Sequence, residues 1–214
     1  MVLDAFRNRS VSTMRQAIAH LKQADPVLKR LIEEIGPCRI RYLEPDFEAL
    51  AKAIVYQQLS GKVASTIFGR LAAAAGNGRV TPEELLRLSA PKLRRVGLSR
   101  QKIAYLRDLA RRTVSGELDF RALRRLPDDR VQQRLMEIKG IGSWTVHMFL
   151  IFALRRMDVL PSGDLGIRAA VKKAYALEKL PEPREIEELA RAWRPYASVA
   201  SWYLWRSLET DANL

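Results

Sequence analysis

Apolar residues recur along most of the chain at intervals of three and four, the period of a helix with one buried face. Over 12–24, Met14, Ala17, Ile18 and Leu21 share a face, and Asp25-Pro26 stops the pattern. A second segment, 27–35, ends at Gly36-Pro37, and 38–44 (CRIRYLE) reads as a short extended connector. Asp46 caps a helix through Tyr56 whose inward positions are Phe47, Leu50, Ile54 and Val55. Ser60 caps the next, which runs through the alanines 72–75 to Gly76-Asn77-Gly78. Thr81-Pro82-Glu83-Glu84 joins a capping hydroxyl to a proline at the first helical position. Ser99 opens a helix carrying Ile103, Leu106, Leu109 and Ala110, and Pro127-Asp128-Asp129 opens another. Segments 166–176, 183–192 and 196–208 complete the set, with few strand signals, no low-complexity linker and no clear repeat. About ten or more helices joined by short loops predict an all-α fold.

The pattern breaks most informatively in 135–149, LMEIKGIGSWTVHMF. Leu135 and Ile138 keep helical spacing, Gly140-Ile141-Gly142 interrupts, and Trp144, Thr145, Met148 and Phe149 resume it. Two glycines one residue apart permit positive φ and leave no Cβ between backbone and ligand. Their amides, with the N-terminus of the second helix, form an anion site, and Ile141 packs inward to close the hairpin. An ordinary tight helix–helix connection is the competing use of such a turn. Lys139 and the charge of the whole chain favour phosphate. The chain has 214 residues, 37 Lys+Arg against 24 Asp+Glu, and a formal net charge of +13. That excess points to a polyanion, whose counterions are released on binding.

Composition also excludes. One Cys cannot form an internal disulfide, a four-Cys zinc site or an iron–sulfur cluster. There is no uncharged apolar run of about 18 residues, so no membrane span is predicted. Asp4, Arg7 and Arg9 interrupt any signal-peptide core, and a cytosolic protein is expected. His147 and His20 lack the neighbours a zinc site needs.

The hairpin, the loop LPSGDLGIRAAV (160–171), the earlier AIVYQQLSGKVAS (53–65) and the late WRPYASVASWYLWR (193–206) stand in one order. Together they resemble the 3-methyladenine DNA glycosylase II branch of the helix-hairpin-helix (HhH-GPD) DNA glycosylases, over roughly 45–208. The resemblance implies two helical subdomains around a DNA-binding cleft. One is expected at about 45–163, with the hairpin at 135–150, and the other at 1–44 plus 164–214. It implies a monomer acting on double-stranded DNA that contains alkylated bases, in the bacterial cytosol or nucleoid.

Site residues follow from the resemblance and from chemistry. Breaking an N-glycosidic bond builds positive charge on the sugar, and a fixed carboxylate on that face stabilises it. The resemblance places that carboxylate at Asp164, which also reads as a helix N-cap; Asp158 fits the motif less well. Relatives that also cut the backbone carry a Lys two residues after the second glycine. Trp144 stands there, so a monofunctional enzyme is expected. Flipping the base leaves a gap, and the resemblance puts the wedge in Gln57, Gln58, Leu59 and Ser60, with Gln58 or Leu59 filling it. Trp144, Met148 and Trp193 are expected to line the base pocket, where an indole face attracts a cationic purine. Lys139, Gly140, Ile141, Gly142 and Thr145 are expected at the DNA backbone. The resemblance alone implies a monovalent cation, sodium or potassium, on the carbonyls of Lys139 and Ile141, with no other cofactor. Trp202, Tyr203 and Trp205 read as mainly structural, and Ala197 replaces a common family Arg. Lys62, Lys139 and Arg168 are expected on the DNA-facing surface. A glycosylase for another damaged base, or a non-catalytic hairpin module binding duplex DNA, are the competing readings.

Overall fold

The computed structural model describes residues 2–76 and 78–210, and of 2–12, 209 and 210 only the backbone. Asn77 of the expected glycine turn therefore lies outside the described residues. Among the described residues there is no β-strand. The helices are α1 (Val2–Ala24), α2 (Pro26–Ile35), α3 (Phe47–Tyr56), α4 (Gly61–Ala75), α5 (Pro82–Arg87), α6 (Ala90–Arg95) and α7 (Arg100–Val114). They continue as α8 (Phe120–Leu123), α9 (Asp128–Met136), α10 (Ser143–Phe152), α11 (Leu165–Ala174), α12 (Pro183–Leu189) and α13 (Ala197–Thr210), with a 3-10 turn at Ala190–Trp193. No described helix is long and apolar enough to cross a membrane.

Local capping explains most of the boundaries. Asp46 accepts from the Ala49 amide, Thr81 from Glu84, Ser89 from Lys92 and Ser99 from Lys102. Each satisfies an N–H that a helix leaves unpaired at its start. Two short helices, α6 and α8, escape the periodicity reading because each offers a single buried position, Leu93 and Leu123.

The chain divides into two compact units, 42–155 and the paired stretches 1–41 with 156–214. The second crossing falls at 155/156, earlier than the expected 163/164. Hydrogen bonds to the start of α13 account for this. The Val159 amide donates to Ser198 Oγ at 2.9 Å, and the Ser198 amide to Met157 O at 3.0 Å. Asp158 accepts from the Ala197 amide at 3.3 Å and pairs with Arg194 at 2.7 Å.

In unit 42–155, α7 packs on α3 and α5, while α10 packs on α3 and α9. Leu50, Ile54, Leu85, Leu106, Leu109, Leu135 and Phe149 fill its interior. In the other unit, α13 packs on α11 and α2 around Leu21, Leu28, Ile167, Tyr203 and Leu204.

That second core holds a correction. Trp193, expected in the base pocket, is completely buried there, and its indole Nε1 donates to Asp25 Oδ2 at 2.9 Å. The Tyr175 hydroxyl donates to the same oxygen. Asp25 Oδ1 caps α2 by accepting from the Val27 and Leu28 amides at 2.8 and 3.2 Å. A buried carboxylate needs such donors, and Trp193 is one of them. Burial, and then Asp25, push the Tyr175 phenol above its ordinary range. Burial also raises the partly buried Cys38 thiol to about 11, which disfavours its thiolate.

Candidate functional site

The hairpin lies within unit 42–155, between the end of α9 at Met136 and the start of α10 at Ser143. Ile138 and Ile141 are both buried, and the Ile141 amide donates to Ile138 O at 3.1 Å, which closes the turn. The two glycines do different work. Gly140 sits at φ +80°, and a Cβ there would stand 2.0 Å from Tyr105 Cδ2. Gly142 has extended backbone (φ −102°, ψ 179°), and a Cβ there would meet nothing within 4 Å. Positive φ thus explains the first glycine only, and the second leaves an open, exposed face at the α10 N-terminus. The N-cap residue Gly142 makes no side-chain cap bond, so the first-turn amides and the positive dipole end suit an anion. Lys139 is exposed beside it. Its own amide is taken by Asp108 Oδ2 at 3.2 Å, and Asp108 in turn pairs with Arg112 at 3.3 Å.

Two residues expected at the DNA backbone or wedge are turned inward. Thr145 is 1% exposed, and its Oγ1 accepts from Gln57 Nε2 at 2.9 Å. The same nitrogen donates to Gly140 O at 2.7 Å. Gln57 and Thr145 therefore brace the hairpin against the end of α3, because their polar groups are used within the protein. Gln58, Leu59 and Ser60 are exposed, and Gln58 adopts φ +56°, a strained conformation for a residue with a side chain. Ser60 occupies the N-cap position of α4 without a side-chain cap bond, and Lys62 is exposed in the first turn.

On α10, Trp144, His147 and Met148 form the half-buried stripe between the buried positions Thr145, Val146, Phe149 and Leu150. Burial holds the His147 imidazole below the usual histidine range. Among the described residues, no group of three or more His, Cys, Asp and Glu side chains could hold a metal ion. The described hydrogen bonds of the turn end on Ile138 O, Gly140 O and Gly142 O. The carbonyls of Lys139 and Ile141, expected from the resemblance to hold a cation, are neutral oxygen donors of the kind that suits a hard monovalent one.

Asp164 lies in the other unit, as the N-cap of α11. Its Oδ1 accepts from the Ile167 amide and from Trp205 Nε1, each at 2.8 Å. Trp205, which reads from the sequence as structural, thus orients the carboxylate. Gly166 makes room for it: a Cβ there would stand 3.0 Å from Asp164 Oδ1 and 3.2 Å from Trp205 Cδ1. Glycine inside the first turn of a helix was the available sequence signal for this contact. Trp205, 41 positions away along the chain, gave none. A further correction concerns charge. Arg168 is engaged by Pro181 O at 2.8 Å and Glu182 at 2.9 Å, so it is no open phosphate contact. Ala197 is fully buried at the start of α13.

Residues 51–195 match the profile of the HhH-GPD superfamily base excision DNA repair proteins. DNA-3-methyladenine glycosylase 1 of Schizosaccharomyces pombe is 36% identical over 213 residues, 97% of this chain and 93% of its own length. The structure of S. pombe 3-methyladenine DNA glycosylase in complex with abasic DNA matches with a TM-score of 0.85, covering 91% of this chain and 97% of that one. A DNA-3-methyladenine glycosidase from Bacillus halodurans matches with a TM-score of 0.78 at 37% identity, covering 92% and 91%. With the uncapped glycine hairpin and the carboxylate-capped α11 in place, the chain belongs to the HhH-GPD superfamily of base excision DNA repair proteins.

Proposed function

We propose that the protein is a monofunctional DNA-3-methyladenine glycosylase that releases 3-methyladenine and 7-methylguanine from double-stranded DNA and so starts base excision repair. The observation that carries this reading is Asp164, held through Oδ1 by the Ile167 amide and the Trp205 indole. A methylated purine is already cationic and leaves as a neutral base. The glycosidic electron pair departs with it, and positive charge grows on the sugar. Asp164 stabilises that charge, water adds at C1′ and loses a proton, and an intact abasic site remains. No lysine stands two residues after Gly142 to attack the sugar, where Trp144 sits.

The other roles are divided by exposure. The α10 N-terminus, Gly142 and Lys139 hold the DNA backbone. Gln58 or Leu59 fills the gap left by the flipped base. The half-buried Trp144 and Met148 offer a polarisable face to the cationic purine. A sodium or potassium ion on the carbonyls of Lys139 and Ile141 would add positive charge beside a phosphate. The enzyme works as a monomer, since one chain carries both the hairpin and the carboxylate. Its place is the cytosol or nucleoid, where its substrate lies.

The reading is tested by base release from duplexes carrying single lesions. Methylated purines should be freed, and the strand should break only after later alkali treatment. Release confined to oxidised or deaminated bases would instead assign another lesion. Tight duplex binding with no release at all would leave a binding module.

A further inference from the structure

Lys102 is a part-buried cation of unit 42–155 that the roles above leave unused. It stands in the first turn of α7, yet its ammonium reaches across to the end of α3. There Nζ donates to Val55 O and to Gln57 O, each at 2.7 Å. The last carbonyls of a helix have no partner within it, and they carry the negative end of its dipole. Many helices solve this with a glycine in the left-handed region. Here the chain leaves α3 through Gln57 and enters that region with Gln58 at φ +56°. A residue with a side chain is held in such a conformation only when its surroundings over-determine it.

The surroundings are two clamps. Lys102 holds the backbone carbonyls on either side of Tyr56, and Gln57 Nε2 holds the hairpin through Gly140 O and Thr145 Oγ1. Beyond them Gln58 and Leu59 are exposed, with Leu59 38% accessible despite its apolar side chain. Desolvation also pushes the Lys102 ammonium below the usual lysine range, which sets it apart from a solvated surface charge.

We infer that Lys102 is a positioning residue for base flipping: by clamping the α3 carbonyls it keeps Gln58 and Leu59 in the strained turn that presents the wedge. The inference rests on the glycosylase reading and on the wedge lying at 58–59. Two charge-assisted hydrogen bonds are at stake, and their loss lets the loop relax into conformations that no longer enter the duplex.

Lys102→Met removes the charge and keeps the aliphatic stem. Base release is measured from a duplex carrying one 7-methylguanine with 2-aminopurine beside it, and from the same strand unpaired. Unpaired DNA needs no wedge to hold a stack open. Lys102→Met should slow release from the duplex by about tenfold or more and shrink the 2-aminopurine fluorescence rise. Release from the single strand should stay within about twofold, and binding to undamaged duplex should be unchanged. Lys102→Arg should restore most of the duplex rate. If Lys102→Met fails to fold, Lys102→Gln, with a polar end for the freed carbonyls, carries the same expectations. Equal duplex rates for variant and wild type would overturn the inference alone. So would an equal loss on both substrates, since that marks a structural role. A wild type that neither frees the base nor changes the fluorescence would overturn the glycosylase reading and the inference together.

Discussion

Asp164→Asn should lower base release by about a hundred- to a thousandfold while leaving abasic DNA binding near its wild-type level. The substitution isolates charge from shape. Asn is as good an N-cap as Asp, and its amide oxygen can still accept from the Ile167 amide and the Trp205 indole. What disappears is the negative charge proposed to stabilise the growing cation on the sugar. The fold should lose only the small interaction of that charge with the α11 dipole, about 0.3–1 kcal/mol. Single-turnover release and binding to an abasic analogue check both halves. A variant that kept near-normal release would remove Asp164 from the mechanism. Trp205→Phe keeps the ring against Gly166 and deletes one donor to Oδ1, so its release rate should fall between the two.

Gly140→Ala should be the most destabilising single methyl added to the hairpin. The new Cβ would lie 2.0 Å from the Tyr105 ring, on a residue already at φ +80°. Overpacking of this kind costs roughly 1–3 kcal/mol, and a side chain at positive φ adds about 1 kcal/mol. In a chain of this size that corresponds to a melting temperature lower by roughly 5–15 °C. The damage should spread, because Gly140 O is also the anchor for Gln57. Gly142→Ala is the informative contrast. Its Cβ meets open space and its backbone is ordinary, so thermal stability should hardly change. Duplex binding should still weaken, since a methyl group would stand where the proposed function puts the DNA backbone. Thermal melts and binding isotherms of the pair separate the two outcomes. Equal melting temperatures for both variants would refute the distinction.

Features whose physics is local were legible in the sequence. Asp46, Thr81, Ser99 and Asp164 cap helices by reaching amides three residues ahead, so a short window holds the whole interaction. The glycine hairpin is equally local, and so is the face of Trp144 and Met148. Functions assigned to polar or aromatic side chains from the resemblance and from residue type fared differently. Gln57 and Thr145 have groups that suit DNA, but equally suit a carbonyl or each other, and the fold pairs them. Trp193 suits a purine cation, yet a carboxylate 168 residues away claims its indole nitrogen. Arg168 counts toward the chain's charge, but Glu182 and Pro181 hold it. Lys102 and Trp205 were missed for the same reason: their partners lie 45 and 41 residues distant, and no pattern in the chain announces them.

The two-unit division has a consequence for how the enzyme comes into being. Unit 42–155 is one continuous stretch, so it can complete its core while later residues are still being synthesised. The other unit is interrupted by it. Its Asp25 waits for Tyr175 and Trp193, and closing a loop that long carries a large entropic penalty until many contacts form together. The segment expected to grip DNA can therefore take shape before the carboxylate expected to break the bond is in place.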